Sequence, residues 1–221
     1  MNVADVRREY AREGLRRRDL DPDPIAQFLK WLGEAKALQP DDFTSMTLAT
    51  ADRSGRPSAR IVLLKGCGEQ GFVFYTNYDS SKGRDLDENP VASLVFYWPA
   101  FDRQVRVEGR VEKTSREESE AYFHSRPLGA QVGAWASRQS EVIRDREALE
   151  ELVGKTAERF GEGPVPLPDT WGGYRVVPEE IEFWQGRLNR LHDRFRYRRQ
   201  SGGRHSEGRQ TEGWQIDRLA P

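Results

Sequence analysis

The chain has 221 residues, enough for one domain with an appendage, and its 35 Lys and Arg against 36 Asp and Glu leave a formal net charge of −1. That balance argues against a protein whose main business is binding nucleic acid, even with the local run Arg16-Arg17-Arg18. The single cysteine, Cys67, excludes an intramolecular disulfide and any cysteine-cluster metal site.

A membrane helix needs about 20 predominantly apolar residues, and the runs Ile61 to Leu64 and Val91 to Trp98 fall far short. Met1 to Tyr10 is mixed in charge and lacks the apolar core of a secretion signal, so a soluble cytoplasmic protein is expected. Six Trp and ten Phe supply large burial units, which predicts a folded domain under a charged surface.

In chain order, Val3 to Arg12 suits a short charged helix ended by Gly14, too polar to pack deeply. Residues 1–20 read as an arm and 21–221 as the main domain. Asp23 before Pro24 is a helix start, and Ile25, Phe28, Leu29 and Leu32 fall on one helical face. From Ser45 the period changes to two. Strands are predicted over Met46 to Thr50, Ser58 to Lys65 and Phe72 to Thr76, with a turn at Asp52 to Gly55 and a loop at Gly66 to Gly71.

Asp79, Ser80 or Ser81 caps a short helix through Leu86, which ends before Pro90. Val91 to Trp98 and Gln104 to Glu112 are further strands, the latter with Val105, Val107 and Val111 on one face. Ser115 to Glu118 is a capping box that opens a helix through His124. Asp145 caps another running to Phe160, with Leu149, Leu152, Val153 and Phe160 for its buried side. After the linker Gly161 to Pro168, strands return at Tyr174 to Val177, Ile181 to Trp184, Arg194 to Arg198 and Trp214 to Leu219. Gln200 to Gly213 reads as a hairpin tip. A meander with so little room for crossovers predicts an antiparallel barrel.

Arg60 to Lys65 is the most informative stretch, an apolar β-branched run with one cation at each end. On a continuous strand the two charges stand roughly 16 Å apart and point to opposite faces, which suits two anions better than one. Serine-hydrolase elbows and glycine-rich nucleotide loops are missing, and His124, His192 and His205 are too scattered for a zinc motif. What the chain offers is cations and hydroxyls beside apolar strands, a donor set suited to a phosphorylated planar ligand.

Several motifs, in order, carry a resemblance. They are Arg7-Arg8-Glu9-Tyr10 with Gly14 to Leu20, Arg60 to Lys65, Phe74 to Asn77, Tyr122 to Pro127, Ser137 to Ser140, Trp171-Gly172-Gly173, Ile181 to Gly186, Arg190 to Arg194, and Ile216 to Pro221. Together they resemble the pyridoxine/pyridoxamine 5′-phosphate oxidase family. The resemblance implies a mainly β fold with flanking helices (α+β), an antiparallel FMN-binding split β-barrel that forms a homodimer with FMN at the interface. It implies oxidation of pyridoxamine or pyridoxine 5′-phosphate to pyridoxal 5′-phosphate, hydride passing to the flavin and O2 accepting the electrons as H2O2. No metal is implied.

By the same resemblance Arg60 and Lys82 take the FMN phosphate. Ile61, Val62, Leu63, Leu64, Lys65, Tyr75, Thr76, Ser81, Gln104, Gln139, Ser140, Trp184 and Arg194 complete the flavin site. Lys65 also holds the substrate phosphate with Tyr122 and Arg126. Arg190 and His192 face the reacting carbon beside Leu191, and Arg7, Arg8, Glu9 and Tyr10 close over the substrate. Two positions depart from the family: Ser81 stands where an arginine is usual, with Arg84 a candidate replacement, and Ala130 where serine is common. The rivals are an oxidase of the same scaffold acting on a phenazine precursor, and a non-catalytic flavin- or heme-binding split barrel.

Overall fold

A computed structural model describes Glu9 and residues 13–161, 163–200 and 213–221. The expected arm helix, with Arg7, Arg8 and Tyr10, and most of the hairpin tip lie outside the described residues; Glu9 is exposed coil.

Helix α1, Pro24–Leu38, starts where the Asp23 carboxylate accepts the Ile25 N–H at 2.9 Å, with Pro24 in the first turn. Its buried stripe is Ile25, Phe28, Trp31 and Ala35, whereas Leu29 of the predicted face is 45% exposed. The aromatic residues decide this. Phe28 packs on Phe72 and Phe96 at 4.9 Å each, and Trp31 meets Phe183 edge-on at 5.2 Å, which turns the helix toward its rings.

The strands are β1 Ser45–Ala51, β2 Pro57–Leu63, β3 Gly66–Gly68, β4 Gly71–Asn77, β5 Val91–Trp98, β6 Arg103–Lys113, β7 Trp171–Gln185, β8 Asp193–Arg199 and β9 Trp214–Leu219. All pairings are antiparallel, in the order β2-β1-β5-β6-β7-β4-β3, with β8 on β7 and β9 on β8. The sheet curls, because its two ends are consecutive in the chain. The Leu64 N–H donates to the Thr44 carbonyl beside β1, and the next amide, Lys65, donates to Val73 on β4 at 2.8 Å. The meander thus forms the expected split barrel, with α1 against its aromatic core.

Three strand expectations are corrected. The predicted strand Ser58 to Lys65 ends at Leu63, so alternation does not reach Lys65. The loop before Gly71 contains β3. The two strands expected on either side of Pro178 are one, β7, because a bulge between Glu108 and Gly109 sets Pro178 where a ladder amide is not required. Gly109 is needed there: a Cβ would lie 2.0 Å from the Val177 carbonyl oxygen.

Four more helices flank the sheet: α2 Ser81–Glu88, α3 Arg116–His124, α4 Leu128–Ala136 and α5 Arg146–Phe160. Ser80, Ser115 and Asp145 cap α2, α3 and α5 as expected. Helix α4 was not expected from the sequence, where Gly129 and Gly133 weaken a helical reading. Helix α5 has no fully buried residue, so its predicted buried side is corrected. Phe160 meets Trp135 of α4 at 5.4 Å, while Leu152 and Val153 stay exposed. Among the described residues, no helix is long and apolar enough to cross a membrane.

Candidate functional site

A cavity of about 580 Å³ opens where the chain leaves β2 for β3. Arg60, Ile61, Val62, Leu63 and Lys65 form one wall, with Tyr75, Thr76 and Asn77 of β4 and Lys82 of α2 beside them. Tyr122 and Arg126 come from the α3 end, Ala130, Gly133 and Ala134 from α4, and Ser137, Gln139 and Trp171 complete it. Arg60 and Lys65 therefore line one cavity and not opposite faces, because the backbone changes partner strands between Leu64 and Lys65. Leu64 packs in the core and does not line the cavity.

Lys82 is 8% exposed, and its Nζ donates to Thr76 Oγ1 at 3.1 Å, Ser80 Oγ at 3.0 Å and Gln139 Oε1 at 2.9 Å. These partners are neutral oxygens. A buried ammonium held only by neutral groups favours an anion, and burial with the nearby Arg60 charge pushes its pKa down to about 8. Arg60 stands over a cluster in which Nη1 donates to Thr50 Oγ1 at 2.7 Å and Asp85 lies 3.8 Å from Nη2.

Deeper in, Tyr75, Tyr122 and Trp171 lie nearly parallel, Tyr75 and Tyr122 with centroids 4.0 Å apart and an 18° tilt. The Arg126 guanidinium lies 4.7 Å from the Trp171 centroid, and its buried Nη1 has no hydrogen-bond partner. The ring contact supplies a cation–π attraction but leaves that donor unmet. Burial, with Glu118 and Tyr122 next, pushes the Tyr75 phenol up to about 12, so it stays a neutral donor.

Ser81 and Ser140 lie outside the cavity lining, joined by a Ser81 N–H to Ser140 Oγ bond of 3.2 Å, with Ser140 at φ 74°. Arg84, the candidate replacement for an arginine at Ser81, does not line the cavity either. It is exposed, donates to the Asp79 carbonyl, and reaches Ser81 Oγ only at 3.5 Å.

Gln104, Trp184, Arg190, Leu191, His192 and Arg194 form a second group outside this cavity. Gln104 faces Trp184 and Trp184 faces Arg194 across neighbouring strands, and the Trp184 and His192 rings are 4.6 Å apart. Glu182, almost fully buried, binds Arg194 with both oxygens, at 2.7 and 3.1 Å. A 3₁₀ turn, Leu188–Arg190, carries Asn189 and Arg190 at φ 55° and 64° and presents exposed Arg190 and Leu191. Burial, then the charges of Arg190 and Arg194, holds the His192 imidazole below its ordinary range.

Asn77, Gly133, Ala134, Ser137 and Trp171 line the cavity without having been expected there. The conspicuous signal was the small-residue spacing of Ala130, Gly133 and Ala134, which gives α4 a face that leaves room.

A curled antiparallel sheet beside a cation-lined cavity defines a split-barrel protein with a cavity whose lining suits an anion. A family model described as pyridoxamine 5′-phosphate oxidase matches residues 33–159, and one described as the pyridoxine 5′-phosphate oxidase C-terminal dimerisation region matches residues 171–221. The chain belongs to the pyridoxamine 5′-phosphate oxidase family and is an oxidoreductase. Proteins named pyridoxine/pyridoxamine 5′-phosphate oxidase from Burkholderia mallei (strain SAVP1) and Burkholderia thailandensis are 56% and 54% identical, each over 99% of both chains. The crystal structure of PhzG from Burkholderia lata 383, in complex with tetrahydrophenazine-1-carboxylic acid, is similar with a TM-score of 0.81 at 29% identity, covering 92% of this chain and 95% of that one.

Proposed function

We propose that the chain oxidises pyridoxamine or pyridoxine 5′-phosphate to pyridoxal 5′-phosphate, with FMN in the cation-lined cavity and O2 as the final acceptor. The observation that carries this reading is that one cavity holds Lys82, whose hydrogen bonds go to neutral oxygens and leave its charge without a hydrogen-bonded anion, and Arg126, whose Nη1 has no hydrogen-bond partner. Two phosphates, one of the cofactor and one of the substrate, fit them. The donor set also fits FMN, since Arg60 and Lys82 supply charge while Thr76 and Gln139 supply polar groups near apolar Ile61 and Leu63.

Arg60 and Lys82 hold the cofactor phosphate, and Lys65, Tyr122 and Arg126 the substrate phosphate. Bound FMN supplies the two-electron acceptor for the C4′–H bond of the substrate. His192 and Arg190 orient the group on that carbon, with Arg190 fixed in charge. Ile61, Leu63 and Val62 exclude water from one side of the cavity.

Except for Gln104 on β6, the second group sits in the part of the chain that matches a dimerisation region, residues 171–221. We assign it to the site of a second copy, so that a homodimer completes each site with Gln104, Trp184, Arg190, Leu191, His192 and Arg194.

The likeness to PhzG supports a second reading, oxidation of a reduced phenazine carboxylic acid, in which Arg126 takes the carboxylate. The test is an absorbance spectrum of the purified protein, followed by peroxide release with each of the two phosphorylated vitamers, their unphosphorylated forms and tetrahydrophenazine-1-carboxylic acid. Flavin bands and turnover of the phosphorylated compounds alone support the first reading. Turnover of the phenazine alone moves the assignment to the second, and a protein that ignores added FMN sinks both.

A further inference from the structure

Arg60 does not stand alone in the cavity wall. Its Nη1 donates to Thr50 Oγ1 at 2.7 Å and its Nη2 to Ser58 Oγ. Both hydroxyls also bond one carboxylate oxygen, Asp85 Oδ2, at 2.6 Å from Thr50 and 2.9 Å from Ser58. The polarity of this cluster follows from its chemistry. A guanidinium only donates and a carboxylate only accepts, so each hydroxyl spends its single proton on Asp85 and turns a lone pair to Arg60. Without the carboxylate, the two hydroxyls, 3.2 Å apart, are free to donate to one another, and nothing keeps both of their lone pairs turned to the guanidinium.

We propose that Asp85 is a positioning residue for the cofactor phosphate: acting through Thr50 and Ser58, it fixes the Arg60 guanidinium in the orientation that receives that phosphate. This rests on the reading that the cavity binds FMN. Helix α2 carries both Lys82 and Asp85, three residues apart, so one rigid element sets the ammonium and, through the hydroxyls, the guanidinium. The arrangement bears on the departure at Ser81. With serine there and Arg84 turned to the Asp79 carbonyl, Arg60 and Lys82 are the cations of this cavity end, and the site depends on how well Arg60 is held.

A simpler account makes the opposite forecast. A carboxylate 3.8 Å from Arg60 partly cancels the field felt by an incoming phosphate, so a bystander charge should weaken anion binding and its removal should tighten it. The sign of the effect therefore separates positioning from simple electrostatics.

The experiment titrates the apoprotein with FMN and with riboflavin, which has the same ring and ribityl chain but no phosphate, and follows quenching of flavin fluorescence. Asp85→Ala is expected to weaken FMN binding about tenfold, the size of one lost hydrogen bond to a charged group, while riboflavin changes less than about twofold. Asp85→Asn, which keeps an acceptor but no charge, is expected to recover much of that loss. Ser58→Ala, which cuts one arm of the relay, should weaken FMN in the same direction and carries the test if Asp85→Ala does not fold. FMN binding that is unchanged or tighter in Asp85→Ala, or equal losses for FMN and riboflavin, overturns the proposal alone. A wild-type chain that binds neither ligand overturns the functional reading beneath it.

Discussion

The backbone N–H of Arg187 donates to Nδ1 of His192 at 3.1 Å. An amide can only donate, so Nδ1 is the acceptor and the neutral ring carries its proton on Nε2. The lowered pKa agrees, since protonating Nδ1 would cost that bond in addition to the desolvation that leads the shift.

His192 is therefore expected to work as a neutral Nε2–H donor. Asparagine can replace the Nδ1 acceptor but not the distal donor, whereas glutamine can place an N–H near Nε2. His192→Asn should lower kcat on the order of 10²-fold and His192→Gln distinctly less. Because the folded pKa is depressed, the acid limb of the wild-type kcat profile that this group controls should lie below the ordinary histidine range. Equal losses in the two variants would remove Nε2 from the chemistry.

Lys82 gives a second pH signature. Its folded pKa is about 8 against an ordinary 10.5, so between those values the unfolded chain holds a proton that the folded apoprotein lacks. Apoprotein stability should rise with pH across that window and be flat with respect to this group below it. FMN binding should run the other way. An anion favours the charged ammonium, so affinity falls as pH rises through about 8, and binding near that pH takes up protons. Calorimetry in two buffers of different ionisation enthalpy measures the uptake; a dissociation constant flat from about pH 7 to 9.5 would remove Lys82 from the phosphate site.

The strand period and the helix caps made most of the fold legible, because alternation and capping are local chemistry: Asp23, Ser80, Ser115 and Asp145 each cap as read. Lys65 was misplaced because a change of partner strand is a tertiary event that no alternation pattern contains. Helix α4 was missed because Gly129 and Gly133, which lower helix propensity, belong to a helix whose small residues also line the cavity. The Glu182 grip on Arg194 was likewise invisible, since it depends on cross-strand register.

Gly109 offers a test of the barrel itself. The bulge opposite Pro178 leaves only 2.0 Å between a Cβ at this position and the Val177 carbonyl oxygen. Gly109→Ala must push two paired strands apart, and it should cost about 3 kcal/mol, lowering Tm by roughly 6 to 12 °C. A thermal melt by circular dichroism checks it. Gly33→Ala, on α1 with open space around its Cβ, is the control and should not lower Tm.

Lys65 distinguishes the two proposed phosphate positions. It is exposed at the cavity wall, on the residue after the chain leaves the β1 side, while Arg60 and Lys82 lie at the other cluster. Lys65→Ala should raise KM for the phosphorylated substrate about 10- to 100-fold, in line with losing a charge-assisted bond, and the protein should stay yellow. A colourless Lys65→Ala protein with unchanged KM would reverse the assignment.

Ala130 lines the same cavity on α4, in the cation-bearing part that includes Arg126. A serine there adds one hydroxyl without extending the side chain beyond a single heavy atom, and the intermediate exposure of the position leaves room for it. If Arg126 marks the substrate phosphate, Ala130→Ser should lower KM for pyridoxamine 5′-phosphate by up to about tenfold, since a hydrogen bond to a charged group is worth about 1.5 to 3 kcal/mol before desolvation of the new hydroxyl is subtracted. Unphosphorylated pyridoxine should respond little, because it offers no anion to the added donor. Parallel steady-state measurements on the two compounds decide the matter: an equal gain on both would place Ala130 beside the ring, and a loss on the phosphate ester alone would mean that the phosphate and Arg126 do not meet near α4.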